Sequence, residues 1–242
     1  MLTTSRIRFK GAVFDFDNTL VDTKDLIDNA YRHVFHEIAA KFNLDEDKLF
    51  LEAESFQKEK IKELQAAKIS YNHADWILPI VGRFSVNLNK EEEEYYKNLF
   101  YSYAINNQKF SEKTEGVLLE LKKRGKKLGL LSERDAVPGM KLQRIKNTPF
   151  YGYFDVIMIA GETIPYSKTD GKGIPFLETA KLLGLKTSEV LMIGDRMDLD
   201  IQNAKEVGMK AILFTGYLKS QEFSKYPPDL VINDISELRN IF

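Results

Sequence analysis

The segment Gly11-Ala-Val-Phe-Asp-Phe-Asp17 does most to limit what this chain can fold into. It starts as a short apolar run rich in strand formers and breaks into the polar turn Asp17-Asn18-Thr19, the pattern of a strand closed by a turn. The hydrophobic period then changes. From about residue 22 to about 109 the apolar residues step by threes and fours, through Ile27, Tyr31, Val34, Ile38 and Phe42, then Leu49, Ala53, Phe56 and Leu64. Asn72 is placed to cap a further helix through Trp76, Ile77 and Ile80, and Asn89 with Glu92 has the spacing of a capping box. Successive helices with one apolar stripe each must bury those stripes on one another.

Past residue 110 the pattern alternates. Strands are predicted at 127–131, 154–160, 190–193, 211–214 and 230–232, with helices at about 114–124, 138–146, 174–183 and 201–207. Strands apolar on both faces and separated by helices make a parallel sheet covered on both sides. The fold class is therefore α/β: a Rossmann-like parallel sheet built from residues 1–21 and 110–242, with an all-helical insertion at 22–109 directly after the first strand.

In such sheets ligands bind at the carboxyl ends of the strands. Those ends carry Asp15 and Asp17, two residues apart and expected to share a face, then Ser132, and later Asp195 with Asp198 and Asp200. Lys168 and Lys172 stand in a Gly-containing loop before the helix that leads into the 190–193 strand. Carboxylates, a hydroxyl and a lysine gathered at one sheet edge can hold a hard divalent cation together with a phosphate.

Composition narrows the partners. The 242 residues contain 35 Lys plus Arg against 36 Asp plus Glu, a formal net charge of -1, so no basic field points to nucleic acid. Cysteine is absent, which excludes disulfides, thiolate metal sites and cysteine nucleophiles. The first ten residues lack the apolar core of a signal peptide. The most apolar stretch, 76–81, is far too short to span a bilayer, so no membrane association is expected and a cytoplasmic setting is.

Taken in order, these strand-end residues resemble the four motifs of the haloacid dehalogenase (HAD) superfamily. Asp15-Phe-Asp-Asn-Thr19 resembles the D-x-D-x-T of motif I, and Leu130-Leu-Ser132 resembles motif II. Lys172, followed at Pro175 by a proline, resembles the motif III lysine, with Lys168 as the alternative. Gly194-Asp195 through Asp200 resembles the G-D-x-x-x-x-D form of motif IV. The helical insertion resembles a C1 cap, where such enzymes place most of their substrate specificity and which closes over the site.

The resemblance implies a Mg2+-dependent phosphatase acting on a small phosphorylated metabolite, as a monomer or small homo-oligomer. Asp15 would be the nucleophile that becomes an aspartyl-phosphate, and Asp17 would protonate the leaving oxygen and then activate water. Ser132 and Lys172 would bind the phosphoryl group. Mg2+ would be held by Asp15, the main-chain carbonyl of Asp17 and Asp195, with Asp200 orienting its waters. Dehalogenases of the superfamily do not keep an aspartate at the position of Asp17, since a halide leaves without a proton, so Asp17 favours phosphoryl chemistry. A phosphomutase, a phosphonate hydrolase and a non-catalytic phospholigand-binding protein are the alternatives on this fold.

Two departures stand out: Gly173, not proline, follows Lys172, and Glu133 follows Ser132 where many members have asparagine. His33 and His36 in the insertion are read as surface or packing residues. Lys24 and Arg83 are its candidate substrate-contacting cations.

Overall fold

The computed structural model describes residues 7–66, 72–135, 137–169, 172–218 and 226–241. The first strand, β1 (Gly11–Phe14), is buried along its whole length, as a run without polar side chains allows. The chain then enters α1 (Thr23–Phe42), α2 (Glu46–Ala66), the short α3 (Ile77–Gly82) and α4 (Lys90–Asn106). Alternation resumes with α5 (Lys113–Lys123), β2 (Lys127–Glu133), α6 (Met140–Lys146) and β3 (Val156–Ala160). It continues through α7 (Ile174–Leu182), β4 (Val190–Gly194), α8 (Gln202–Glu206), β5 (Lys210–Phe214) and β6 (Leu230–Ile232).

The chain divides into two compact units. One comprises Met1–Asp22, Lys109–Arg134 and Lys141–Phe242, the other Thr23–Gln108 with Asp135–Met140. In the first, the strands among the described residues form one six-stranded sheet in the order β3-β2-β1-β4-β5-β6, and every neighbouring pair is parallel. Residues alternate between two cores, as the period of two requires. Ala12, Phe14, Leu128, Leu130, Leu191, Ile193 and Ile212 face one core with Val117, Leu121 and Ile145 of α5 and α6. Val13, Leu131, Val190, Met192, Ala211 and Leu213 face the other with Phe176, Ala180 and Ala204 of α7 and α8. The sheet is thus the middle of three layers.

In the helical unit, Tyr31, Phe35 and Ile38 of α1 pack with Phe56 of α2, Ile80 of α3 and Phe100 of α4. Tyr31 keeps its buried hydroxyl satisfied by donating to the His73 carbonyl at 2.6 Å. Asn89 and Glu92 complete the capping box of α4 with hydrogen bonds of 2.9 and 3.0 Å. His36 pairs with Glu46 at 2.8 Å and His33 lies on the Tyr103 ring. Arg83 pairs with Glu52, while the Lys24 side chain lies outside the described residues. Among the described residues no helix is long and apolar enough to cross a membrane.

Candidate active site

The parallel register sets which residues meet at the carboxyl edge of the sheet. Phe14 of β1 is level with Leu130 of β2 and Ile193 of β4. Asp15 continues the ladder by donating its N–H to the Ile193 carbonyl at 2.9 Å, so the next residues of β2 and β4 bring Ser132 and Asp195 to the same edge. The strand itself stops at Phe14, one residue before Asp15, and the chain turns through Asn18 with a left-handed φ of 53°. The turn sends Asp15 and Asp17 to different partners instead of leaving them on one strand face.

Asp15, Asp195 and Asp200 are buried together, with carboxylate oxygens all within 4.8 Å of one another. Asp200 comes from a wide π-helical turn, Met197–Ile201, just before α8. It is held by the Arg196 N–H, which donates to Oδ2 at 3.0 Å. Gly194 makes room for it: a Cβ there would lie 2.4 Å from Asp200 Cγ. Asp198, four residues past Gly194, turns away to make a two-pronged pair with Arg196 at 2.9 and 2.8 Å.

The lysine of this cluster is Lys168. Its buried Nζ donates to Asp15 Oδ1 at 2.6 Å and to Asp200 Oδ1 at 2.7 Å. Lys172, the residue assigned here from the motif, is exposed and has a left-handed φ of 45°, immediately before left-handed Gly173 at the start of α7. The correction has a local cause. Glu133 Oε1 accepts the Lys168 main-chain N–H, and Asn203 Nδ2 donates to the Lys168 carbonyl at 3.0 Å. Both sides of the Lys168 backbone are therefore fixed, and Glu133, the unusual acid after Ser132, is turned to the loop backbone. Asn203 also donates to the carbonyls of Leu199 and Asp198, at 2.8 and 3.1 Å, tying the loop to the π-helical turn.

Asp17 lies apart from the three-carboxylate cluster. Its two oxygens accept from Lys141 and Arg144 of α6, the latter at 2.6 Å. Ser132 is buried at the end of β2, where its Oγ donates to the Glu133 carbonyl at 3.3 Å. Lys141, Arg144 and Asn203 were not singled out from the sequence. The one available signal was the spacing of Lys141 and Arg144, three apart on a helix that follows motif II.

Electrostatics follow from the crowding. Burial pushes the Asp15 carboxyl up to about 7, with Lys168 pulling it back down and Asp200 and Asp17 adding repulsion. Burial, reinforced by Asp15 and Asp200, pushes Asp195 up to about 9. Burial would depress the Lys168 ammonium, but Asp15 and Asp200 outweigh it and hold it above the ordinary lysine range. Three carboxyl groups crowd one ammonium in a buried, all-oxygen donor set, and an incoming cation would displace the protons that burial and mutual repulsion keep on Asp15 and Asp195. Those oxygens lie within 4.8 Å of one another, against the ~4.2 Å that separates opposite ligands of a six-coordinate Mg2+. The residues present fit a hard divalent cation.

The haloacid dehalogenase-like hydrolase family model matches residues 9–208, a stretch that contains the helical insertion and every residue of the cluster. The chain belongs to the haloacid dehalogenase-like hydrolase family. Among curated relatives, this hydrolase is 28% identical over 238 residues to glyceraldehyde 3-phosphate phosphatase of Methanocaldococcus jannaschii, covering 96% of each chain. It is 24% identical to pyrophosphatase PpaX of Bacillus cereus over 96% of this chain and 95% of that one. It is also 24% identical to N-acylneuraminate-9-phosphatase of Rattus norvegicus, covering 96% and 92%. Among solved structures, the HAD-hydrolase YfnB of Bacillus subtilis superposes with a TM-score of 0.72 at 13% identity, covering 97% and 98%. A HAD phosphatase of Thermococcus onnurineus superposes at 0.63 with 23% identity, covering 96% and 97%. At these identities the structural matches speak for the fold of this hydrolase.

Proposed function

We propose that the chain is a Mg2+-dependent phosphatase that releases inorganic phosphate from a small phosphorylated metabolite through an aspartyl-phosphate on Asp15. The observation that carries this reading is the pairing of a buried lysine with Asp15, inside a cluster where Asp195 and Asp200 supply further carboxylates. Asp17 supports the same chemistry, because an alkoxide needs a proton to leave and a halide does not. The named functions of the curated relatives support phosphate-bearing substrates, and glyceraldehyde 3-phosphate is the first one to test.

In this reading an Asp15 oxygen attacks phosphorus while the ester P–O bond breaks, and the departing oxygen takes the proton carried by Asp17. Asp17, now a carboxylate, removes a proton from water. The water oxygen attacks phosphorus, the P–O bond to Asp15 breaks, and phosphate leaves with Asp15 and protonated Asp17 restored. Lys168 offsets the repulsion between the carboxylate and the phosphate dianion. It also counters the burial that would otherwise keep Asp15 protonated. Mg2+, held by Asp15, Asp195, Asp200 and the Asp17 carbonyl, would supply further neutralisation of charge on the phosphoryl oxygens. The absence of cysteine is compatible with a reducing compartment, and we place the reaction in the cytoplasm.

Phosphate release from an aryl phosphate and from glyceraldehyde 3-phosphate, measured with Mg2+ and then with EDTA, tests the proposal. Turnover that EDTA abolishes and Asp15→Asn removes is the expected result. Turnover indifferent to both would overturn it, as would ligand binding without phosphate release across a broad metabolite panel.

A further inference from the structure

One side-chain amide faces three carbonyl groups beside the cluster. Asn203 Nδ2 donates to the Lys168 carbonyl at 3.0 Å, to the Leu199 carbonyl at 2.8 Å and to the Asp198 carbonyl at 3.1 Å. Its place in the chain explains the reach. The turn before α8 is wide: the Ile201 N–H donates to the Arg196 carbonyl and the Gln202 N–H to the Met197 carbonyl, each five residues back. Such a turn takes carbonyls off the four-residue ladder of an α-helix, and Asn203 in α8 lies four and five residues past two of them. The third acceptor belongs to a loop 35 residues earlier. A group with acceptors only would meet three carbonyl oxygens here, so the donor end of an amide is what the place requires.

These contacts close a ring. It runs from Asn203 to the Lys168 backbone, along the Lys168 side chain to Asp200 Oδ1 at 2.7 Å, and back through the wide turn to Asn203. Asp15 takes the same ammonium at 2.6 Å. A lysine stem is a flexible four-carbon chain, so an ammonium held at a set point needs a backbone held at a set point. Within residues 165–169 Lys168 alone is buried. Apolar packing therefore does little to place this loop, and its polar ties carry that task.

We propose that Asn203 is a positioning residue: its amide fixes the Lys168 backbone to the turn that carries Asp200, and so keeps the Lys168 ammonium on Asp15 when the phosphoryl group arrives. The inference rests on the phosphatase reading and adds to it a neutral residue outside the charged cluster. A misplacement of ~1 Å in a catalytic group can cost ~10²-fold in rate, so the tie acts on turnover through Lys168.

The test uses two substitutions. Asn203→Leu removes every donor. Asn203→Ser keeps one, since a serine hydroxyl bonds the carbonyl four residues back, that of Leu199, but stops a bond short of Lys168. Both should lower kcat/KM for an aryl phosphate at least ~10-fold, with rates normalised to the folded fraction read by circular dichroism. In a Lys168→Met background, Asn203→Ser should change kcat/KM less than ~2-fold, because no ammonium is left to place. Isotope-labelled lysine, followed by NMR, gives a readout that needs no turnover. The Lys168 ammonium signal, identified by its loss in Lys168→Met, should exchange its protons with water at least ~10-fold faster in Asn203→Ser. Wild-type kcat/KM in Asn203→Ser, a loss of equal size with and without the Lys168 ammonium, or unchanged exchange would each overturn the assignment. If the unmodified protein releases no phosphate, the phosphatase reading fails, and the ammonium exchange still decides whether Asn203 holds Lys168.

Discussion

Replacing Lys168 by methionine separates the two lysines that the sequence leaves in competition. The ammonium lies 2.6 Å from Asp15 and 2.7 Å from Asp200. At an effective dielectric constant of ~20, each pair is worth about 6 kcal/mol of Coulomb energy. Desolvating a buried ammonium costs several kcal/mol and cancels much of that sum, while removing one partner of a buried pair typically costs about 3–5 kcal/mol. Asp15 already sits at about 7 and can take up a proton when its cation is gone, which keeps the loss near the lower end, about 3 kcal/mol. For a chain of this size that is a fall in Tm of ~6–12 °C. Phosphate release should fall at least ~100-fold, the scale seen when one preorganised donor to developing charge is removed. Lys172→Ala, which alters an exposed side chain, should leave both Tm and turnover near wild type. Differential scanning calorimetry beside a phosphate-release assay decides the matter. A Lys172→Ala protein that is inactive, beside an active Lys168→Met protein, would refute the assignment.

Other consequences can be measured on the same preparations. Saturating Mg2+, at ~100 times its Kd, should stabilise the protein by about 2.7 kcal/mol, and Asp195→Asn should abolish most of that thermal shift. Gly194→Ala would press a Cβ to 2.4 Å from Asp200 Cγ, so it should cost about 1–3 kcal/mol and reduce Mg2+-dependent turnover together. Glu133→Ala removes the acceptor of the Lys168 N–H and should lower kcat, with Glu133→Gln restoring most of it. Asp234 is held down to about 2 by Lys113 and by the Ser236 hydroxyl and N–H. Its folded value lies below its unfolded one, so its stabilisation is present above pH ~4 and is lost as pH falls toward 2. With Asp234 more than a third exposed, that contribution is at most about 1 kcal/mol, and Asp234→Asn should remove it from an acid-denaturation curve.

The sheet was legible because its strands are short, apolar on both faces and bounded by turn residues. The observed β6 matches its expected range, and β4 and β5 differ by a single residue. Edges moved where a side chain intervened. β3 starts at Val156 rather than 154, since Asp155 is engaged in accepting the Leu128 N–H at 2.8 Å, and α6 starts at Met140, after left-handed Gly139. In the site, Asp15, Asp195 and Asp200 could be placed from their distance past apolar strands, a local signal. Lys168 could not be separated from Lys172 that way. The choice is made by Glu133 and Asn203, each 35 residues distant, and no local periodicity encodes such a contact. The Lys141 and Arg144 contacts to Asp17 were invisible for the same reason.

The hydrogen bond from the Asp22 N–H to the Lys109 carbonyl, 2.9 Å long, closes the sheet-bearing unit at the point where residues 23–108 leave it and return. The two flanks form an antiparallel bridge there, and the returning flank is tied down again where the Tyr217 hydroxyl accepts the Ser111 N–H at 3.0 Å. Joining those flanks demands a gap no wider than a hairpin turn, so the length of what is spliced between them is nearly irrelevant to the strand order beneath. A seam of this kind lets the spliced module be exchanged wholesale while the side chains at the sheet edge are inherited intact.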